Sequence, residues 1–189
     1  LTIREAMRIL RTQNIVSIQR GIGTVVNPIN EWSSLDAIIH NSSPETLATF
    51  SEQILRARQI VETGAVEIAA RHRTSQDLTE LTALMKQMQQ ASDSGDIDEF
   101  AATDLAFHTA LMQATGNLFI SIMFNAFGRS VIVETMRFTS ANTDIRTSAM
   151  KDHAAILTAV TDKSPERARQ AMTGHMDHVV ERLRQLTNR

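Results

Sequence analysis

One predicted helix carries an acid and a histidine on the face where core residues are expected. Asp104 and His108 are four residues apart, so they lie one turn apart on the same face. That face otherwise carries Phe100, Phe107 and Leu111. Burying an unpaired carboxylate costs several kcal/mol. We therefore expect Asp104 to have a partner inside the fold.

Two further predicted helices each place a single histidine on an apolar face, whereas His178 falls on a more polar one. Three imidazoles and a carboxylate around one cavity form a ligand set for a divalent metal ion, Zn²⁺ first, or Mn²⁺ or Ni²⁺. The predicted metal ligands are Asp104, His108, His153 and His175. The apolar neighbours are Ile156, Leu157 and Val160 for His153, and Ala168, Met172, Val179 and Leu183 for His175.

The residues alone leave a simpler interpretation open. A single histidine on an apolar face is usually a hydrogen-bonded core residue, and Asp104 with His108 is also a plausible buried pair. The sequence does not say which helices are neighbours, so the pattern does not decide between a metal site and separate polar pairs.

An arginine on another apolar stripe extends the polar set. Arg58 is a candidate for binding an anionic ligand, because a guanidinium group matches a carboxylate with two hydrogen bonds. Arg129, in the fourth predicted helix, is a second candidate. The alternative for Arg58 is an ion pair with Glu62, four residues later. The stripe around Arg58 consists of Leu47, Ile54, Val61, Ala65 and Ile68.

Helix-start signals predict six helices after residue 43, joined by short connections. Ser43 and Ser164, each followed by Pro and Glu, are typical of helix starts, and Ser75 and Asp96 are two further predicted caps. Short connections favour an antiparallel bundle. The predicted helices cover approximately 44–72, 75–91, 96–115, 118–138, 145–161 and 165–186.

The beginning of the chain follows a different pattern. Residues 1–12 predict a helix, and the β-branched runs 15–18 and 24–26, joined by a turn with two glycines, predict a hairpin. Residues 1–30 carry a net charge of +3, whereas the remainder carries −5. A basic head on an acidic body is typical of a DNA-contacting segment joined to a second domain.

Composition excludes several classes of protein. The chain has no cysteine, which excludes disulfides, cysteine metal sites and thiol catalysis. No run of about 18 apolar residues is present, so we expect no membrane span. These features predict a cytoplasmic protein.

The stretches IREAMRIL and NIVSIQRGIGTVV are similar to the recognition helix and wing of the GntR superfamily of bacterial transcription regulators. DLAFHTAL, TGN, DHAAILTAV and GHM occur in the order of the FCD ligand-binding domain of its FadR subfamily. The resemblance implies a partial winged helix-turn-helix at 1–27, a linker at 28–43 and a helical effector domain at 44–189. The implied fold class is all-α, an antiparallel bundle of six to seven helices after a truncated winged helix with a β-hairpin wing.

The resemblance also implies residue roles. It gives metal binding to the same four residues that the apolar faces select, and it matches the Arg58 and Glu62 pair. It implies that two further helices of the winged helix precede residue 1. The predicted effector contacts are Arg58, Arg129 and Asn117, and the predicted DNA contacts are Thr2, Arg4, Arg8, Arg20 and Gly21.

The predicted function is that of a homodimeric regulator of transcription that binds double-stranded operator DNA. A divalent metal and a small carboxylate effector, a sugar acid or a hydroxy acid, are expected in the bundle. NPINEWSSLD resembles the linker of the branch that responds to sugar acids. The alternatives are a metal-dependent, hydrolase-like enzyme whose metal activates water, and a regulator with a purely structural metal.

Overall fold

The computed structural model describes residues 2–127, 136–137, 140 and 142–187. The chain divides into two compact units, Leu1–Leu47 and Ala48–Arg189.

The first unit contains a helix, a hairpin and two short helical segments. Strands β1 (Val16–Gln19) and β2 (Gly23–Val26) pair antiparallel, with Val16 opposite Val26. The turn between them is closed by a hydrogen bond from the Ile22 N–H to the Gln19 carbonyl, 3.1 Å long. The helices are α1 (Ile3–Thr12), a 3₁₀ turn (Ile29–Glu31) and α2 (Leu35–His40).

The segment predicted as a linker, 28–43, contains regular structure. Trp32 Nε1 donates to the Asn27 carbonyl at 2.8 Å, and Asn27 Nδ2 donates to the Asn14 carbonyl at 2.8 Å. These bonds fix the chain directly after the hairpin. Helix α2 then begins after Ser34, whose side chain accepts a hydrogen bond from the Ala37 N–H. The polar composition of this segment therefore reflects capping and turn residues rather than an irregular connection.

The second unit is built from the helices α3 (Pro44–His72), which begins in the first unit, α4 (Ser75–Ser94), α5 (Ile97–Gln113), α6 (Leu118–Asn125), α7 (Thr143–Thr161) and α8 (Pro165–Thr187). Short connections join successive helices except α6 and α7, which residues 126–142 separate. Helix α5 packs against α4 and α6, and α7 packs against α4 and α8. The predicted architecture, an all-α bundle preceded by a β-hairpin, is confirmed. No helix of the described residues is long and apolar enough to cross a membrane.

Three predicted helix boundaries differ from the structure. Helix α4 continues to Ser94 instead of ending near residue 91. Thr74, not Ser75, caps α4, because Thr74 and Asp77 form a reciprocal capping box. Helix α6 ends at Asn125 rather than continuing to residue 138. Its last turn is tight, with the Phe127 N–H bonded to the Phe124 carbonyl at 3.2 Å, and glycine follows at position 128.

Helix α5 lies at the centre of the core. Its large side chains, among them Phe100, Phe107 and Leu111, are completely buried. They pack in one cluster with apolar side chains from each of the other long helices. Seven ionisable side chains of the described residues are buried, and they are Arg58, Glu62, Asp104, His108, Arg146, His153 and His175.

Candidate metal centre

Three histidines and an aspartate from three helices meet inside the bundle. His108 and Asp104 come from α5, His153 from α7 and His175 from α8, and none is more than 7% exposed. One ring nitrogen from each histidine lies within 4.8 Å of the others. The i, i+4 spacing in α5 allows one helix to contribute two polar groups from the same face, one turn apart.

The shortest distances join three atoms. Asp104 Oδ1 lies 2.8 Å from His153 Nε2 and 3.4 Å from His108 Nε2. The two Nε2 atoms lie 3.3 Å apart. Asp104 Oδ1 is buried and makes no hydrogen bond of acceptable geometry with the described part of the chain.

The outer ring nitrogens show where the protons are. His153 Nδ1 lies 2.7 Å from the Ala149 carbonyl, which can only accept, so this nitrogen carries a proton. His108 Nδ1 contacts the Glu62 carboxylate, which likewise favours a proton on that nitrogen. In the neutral rings, both Nε2 atoms therefore present lone pairs to the Asp104 oxygen.

These three electron-rich atoms need a cation between them. Tetrahedral zinc with bonds of 2.0–2.1 Å separates its ligand atoms by about 3.3 Å. The distances of 2.8, 3.3 and 3.4 Å are close to that value. A carboxylate or carbonyl behind a histidine is also the usual outer contact of a metal-ligating imidazole. The residues present thus fit a divalent metal ion.

Charge pairing sets the protonation of the Glu62 side of the site. Burial would raise the pKa of Glu62, but Arg58 and His108 outweigh it and lower the pKa to about 2. Burial would lower the pKa of His108, but Glu62 and Asp104 raise it to about 9. Burial also opposes ionisation of Asp104, whose pKa is nevertheless held well below its usual value by His153 and His108.

The His175 side is arranged differently. His175 Nδ1 lies 3.8 Å from Asp152 Oδ2, beyond direct hydrogen-bond distance. Burial and the neighbouring His153 lower the pKa of His175 to about 4. Burial would raise the pKa of Asp152, but His175 and His178 lower it to about 2. His175 is therefore neutral at pH 7, as a metal ligand must be.

A small cavity of about 20 Å³ adjoins the histidine cluster. This volume is enough for one water molecule. Arg58 reaches it from α3, with its Nε donating to Glu62 Oε1 at 2.7 Å. The Nη groups of Arg58 make no hydrogen bond with any described residue. The lining residues are Leu55, Arg58, Asp104, Met136, Ser140, Ala149, His175, Met176, Val179 and Arg182.

Three polar residues of this region were not predicted as functional. The sequence indicates Glu62 only as a partner of Arg58, although its position four residues later also places it on an inward face. Arg182 follows His175 by seven residues, two helical turns, so its position on the same face was visible in the sequence. Asp152 precedes His153 directly and faces another direction in its helix, so no sequence pattern indicated its contact with α8.

The other predicted effector residues lie in different surroundings. Asn117 is exposed and caps α6, its Oδ1 accepting a hydrogen bond from the Phe119 N–H at 3.0 Å, and it does not line the cavity. Arg129 lies outside the described residues. His178 has a side chain 57% exposed, as its polar face suggested, and its Nδ1 lies 2.9 Å from Asp152 Oδ2.

The predicted DNA-contacting residues are all exposed in the first unit. Thr2 is the N-cap of α1 and its carbonyl accepts the Ala6 N–H at 3.1 Å. Arg8 pairs with Glu5 one turn earlier, at 2.6 Å. Gly21 has a φ of 81° in the hairpin turn. The exposed residues are Thr2, Arg4, Arg8, Arg20 and Gly21.

Comparison with known proteins identifies the family. The FCD domain matches residues 53–178, the part of the chain that contains the histidine cluster. The HTH-type transcriptional regulator LutR of Bacillus subtilis is 29% identical over 94% of this chain and 81% of its own length. The galactonate operon transcriptional repressor of Escherichia coli is 26% identical over 98% of this chain and 81% of its own.

The chain is an FCD-domain regulator of the GntR family. The GntR protein of Streptococcus agalactiae has a similar fold, with a TM-score of 0.66 and 24% identity over 95% of this chain and 80% of that one. McbR/YncC of E. coli also has a similar fold, with a TM-score of 0.64 and 21% identity over 96% of this chain and 83% of that one. This FCD regulator is therefore a protein of transcription control and not an enzyme.

The raised pKa of His108 predicts a pH-dependent stability of the metal-free protein. Folding raises this pKa from 6.5 to about 9, so the stabilisation is complete below pH 6.5 and is lost as the pH rises through 9. His175 is neutral in the folded state, and in the unfolded state it loses its proton near pH 6.5, so it adds no slope above about pH 7.5. The melting temperature of chelator-treated protein should fall more steeply between pH 6.5 and 9 in the wild type than in His108→Gln.

The exposed His72 provides a matched control, because His72→Gln should keep the wild-type slope. Equal slopes for wild type and His108→Gln would show that His108 does not hold a proton in the folded, metal-free site.

Proposed function

We propose that the helical unit binds one divalent metal ion together with a small carboxylic acid, and that the acid controls operator binding by the first unit. The observation that carries the proposal is the convergence of Asp104 Oδ1, His108 Nε2 and His153 Nε2 in a buried site. A purely structural metal is the competing interpretation, and the acid-binding experiment below separates the two.

The proposed metal ligands are Asp104, His108, His153 and His175, with Zn²⁺ as the first choice and Mn²⁺ or Ni²⁺ as alternatives. Bound there, the ion would supply a Lewis acid for an acid's carboxylate. Glu62 and the Ala149 carbonyl hold the outer nitrogens of His108 and His153. These contacts keep the inner nitrogens free to bind.

Arg58 supports a carboxylate ligand in the adjoining cavity. Glu62 fixes its Nε, and its Nη groups are left as donors beside Asp104 and His175. The cavity has space for one water, so an acid would displace lining side chains, and the flexible Met136 and Met176 are suited to move. A similar regulator is the galactonate operon repressor, which is consistent with a sugar acid or hydroxy acid.

The first unit is the proposed DNA-binding part. Its exposed arginines on α1 and at the hairpin turn suit contacts with operator DNA, Arg4 in the major groove and Arg20 at the backbone. A homodimer follows from the symmetry of operators, and the cytoplasm is the proposed location. The acid would shift the equilibrium between two arrangements of the dimer. The size of this shift is limited by the ratio of the acid's affinities for the two arrangements.

Removing one histidine should weaken metal binding. His153→Ala should raise the dissociation constant for Zn²⁺ at least about tenfold, because it removes a ligand whose outer contacts alone are worth 10- to 100-fold. Competition with a chromogenic chelator measures this constant. His72→Ala, on the exposed end of α3, is the matched control. Unchanged zinc affinity in His153→Ala would exclude His153 as a ligand.

The acid site is tested by thermal shift with sugar acids, hydroxy acids and dicarboxylates. One acid at 100 times its dissociation constant should stabilise zinc-loaded protein by about 2.7 kcal/mol. The shift should disappear after chelation and in Arg58→Gln, but persist in Arg71→Gln, an exposed residue in the last turn of α3. If chelation lowers stability but no acid gives a shift, the metal is structural.

DNA binding should depend on Arg4. In the whole protein, Arg4→Ala should weaken binding to an operator selected from genomic fragments roughly tenfold, the cost of a base or phosphate contact. The melting temperature of the helical unit should not change. Arg71→Ala, at an exposed position of the second unit, serves as a charge-matched control. Operator affinity unaffected by Arg4→Ala would remove this residue from the DNA interface.

A further inference from the structure

We propose that Arg182 selects the acid by donating hydrogen bonds to a neutral hydroxyl on its third carbon. The inference rests on the proposed function, since it assumes a carboxylate beside the metal ligands. It identifies the ligand class more closely, as a hydroxylated acid with a single carboxylate, and gives Arg182 a role in specificity.

Arg182 has the position that such a role requires. It lies on α8, seven residues after His175, and lines the same cavity as Arg58 and Asp104. Its side chain is only 13% exposed. Arg58 reaches the cavity from α3, so the two guanidinium groups belong to different walls and can contact different parts of one ligand.

The guanidinium of Arg182 has N–H donors that bond to no described residue. Its Nη2 donates to Ser148 Oγ at 2.8 Å and lies 3.8 Å from Asp152 Oδ2. A guanidinium group carries five N–H donors. Within the described part of the chain, this is its one hydrogen bond. Its remaining N–H groups can therefore donate to a ligand oxygen in the cavity, and a hydrogen bond from a charged donor is worth more than one between neutral groups.

The charges around the cavity favour a neutral acceptor. Arg58 faces Glu62, and Arg182 faces Asp152, so each guanidinium already has a carboxylate partner. A divalent ion beside Asp104 would leave one positive charge, which a single ligand carboxylate balances. A second carboxylate would place an uncompensated negative charge in a buried site, which is unfavourable. A hydroxyl accepts from Arg182 without that cost.

Three acids with the same 2-hydroxy carboxylate core test the proposal. Lactate ends in a methyl group, glycerate carries a hydroxyl on the third carbon, and malate extends from that carbon into a second carboxylate. Calorimetry on zinc-loaded protein should show glycerate binding roughly tenfold more tightly than lactate and more tightly than malate. Arg182→Gln should abolish the preference for glycerate while leaving the affinities for lactate and Zn²⁺ within about twofold of wild type.

Two variants accompany this test. Ser148→Ala removes the hydroxyl that positions Arg182 and should reduce the preference for glycerate even if Arg182→Gln does not fold. Arg167→Gln changes an exposed arginine of the same helix, paired with Asp162, and should keep the preference.

The outcomes separate this inference from the proposed function. Lactate and glycerate binding equally well, or a glycerate preference that survives Arg182→Gln and Ser148→Ala, would overturn the role of Arg182 alone. Malate binding most tightly, with the largest loss in Arg182→Gln, would overturn the neutral hydroxyl in favour of a dicarboxylate. If the protein binds zinc but none of these three acids, this inference is overturned. If the wider panel of acids also gives no thermal shift, the proposed carboxylate site is overturned.

Discussion

The structure depends on three electron-rich atoms held against one another in a buried site. Asp104 Oδ1 and the Nε2 atoms of His108 and His153 lie within 3.4 Å of each other, and their rings direct lone pairs inward. Such an arrangement is stable only with a positive charge at its centre. In the metal-free protein a proton on His108 provides this charge, and a divalent ion would replace it.

The surrounding residues of the bundle hold these three atoms close together. Helix α5 contributes two groups from one face and is packed on several sides by apolar residues, so its side chains have little freedom. Glu62 and the Ala149 carbonyl fix the ring orientations from outside the cluster. Arg58 is held by Glu62 in turn, which links the proposed acid site to His108 through a single carboxylate. A ligand that contacts Arg58 therefore acts close to the metal ligands.

The sequence predicts which residues lie on inward helix faces, but it does not predict which of these faces meet in the folded chain. Helical periodicity placed Asp104, His108, His153 and His175 on inward faces, because one helix face is defined by local spacing. Which faces meet depends on tertiary packing, so the contact of Glu62 with His108 and that of Asp152 with α8 had no local signal. The early end of α6 was missed because its apolar run continues past Asn125, whereas the tight turn at Phe127 depends on hydrogen bonding rather than hydropathy.

The presence of one metal ion in the histidine cluster underlies the proposed function. It is tested most directly by anomalous diffraction at the zinc absorption edge from crystals of the zinc-loaded regulator. We expect one peak per chain, about 2.0–2.2 Å from an Asp104 oxygen and from one nitrogen each of His108, His153 and His175. A cluster with no anomalous peak, or zinc found only at surface histidines such as His72, would contradict the account.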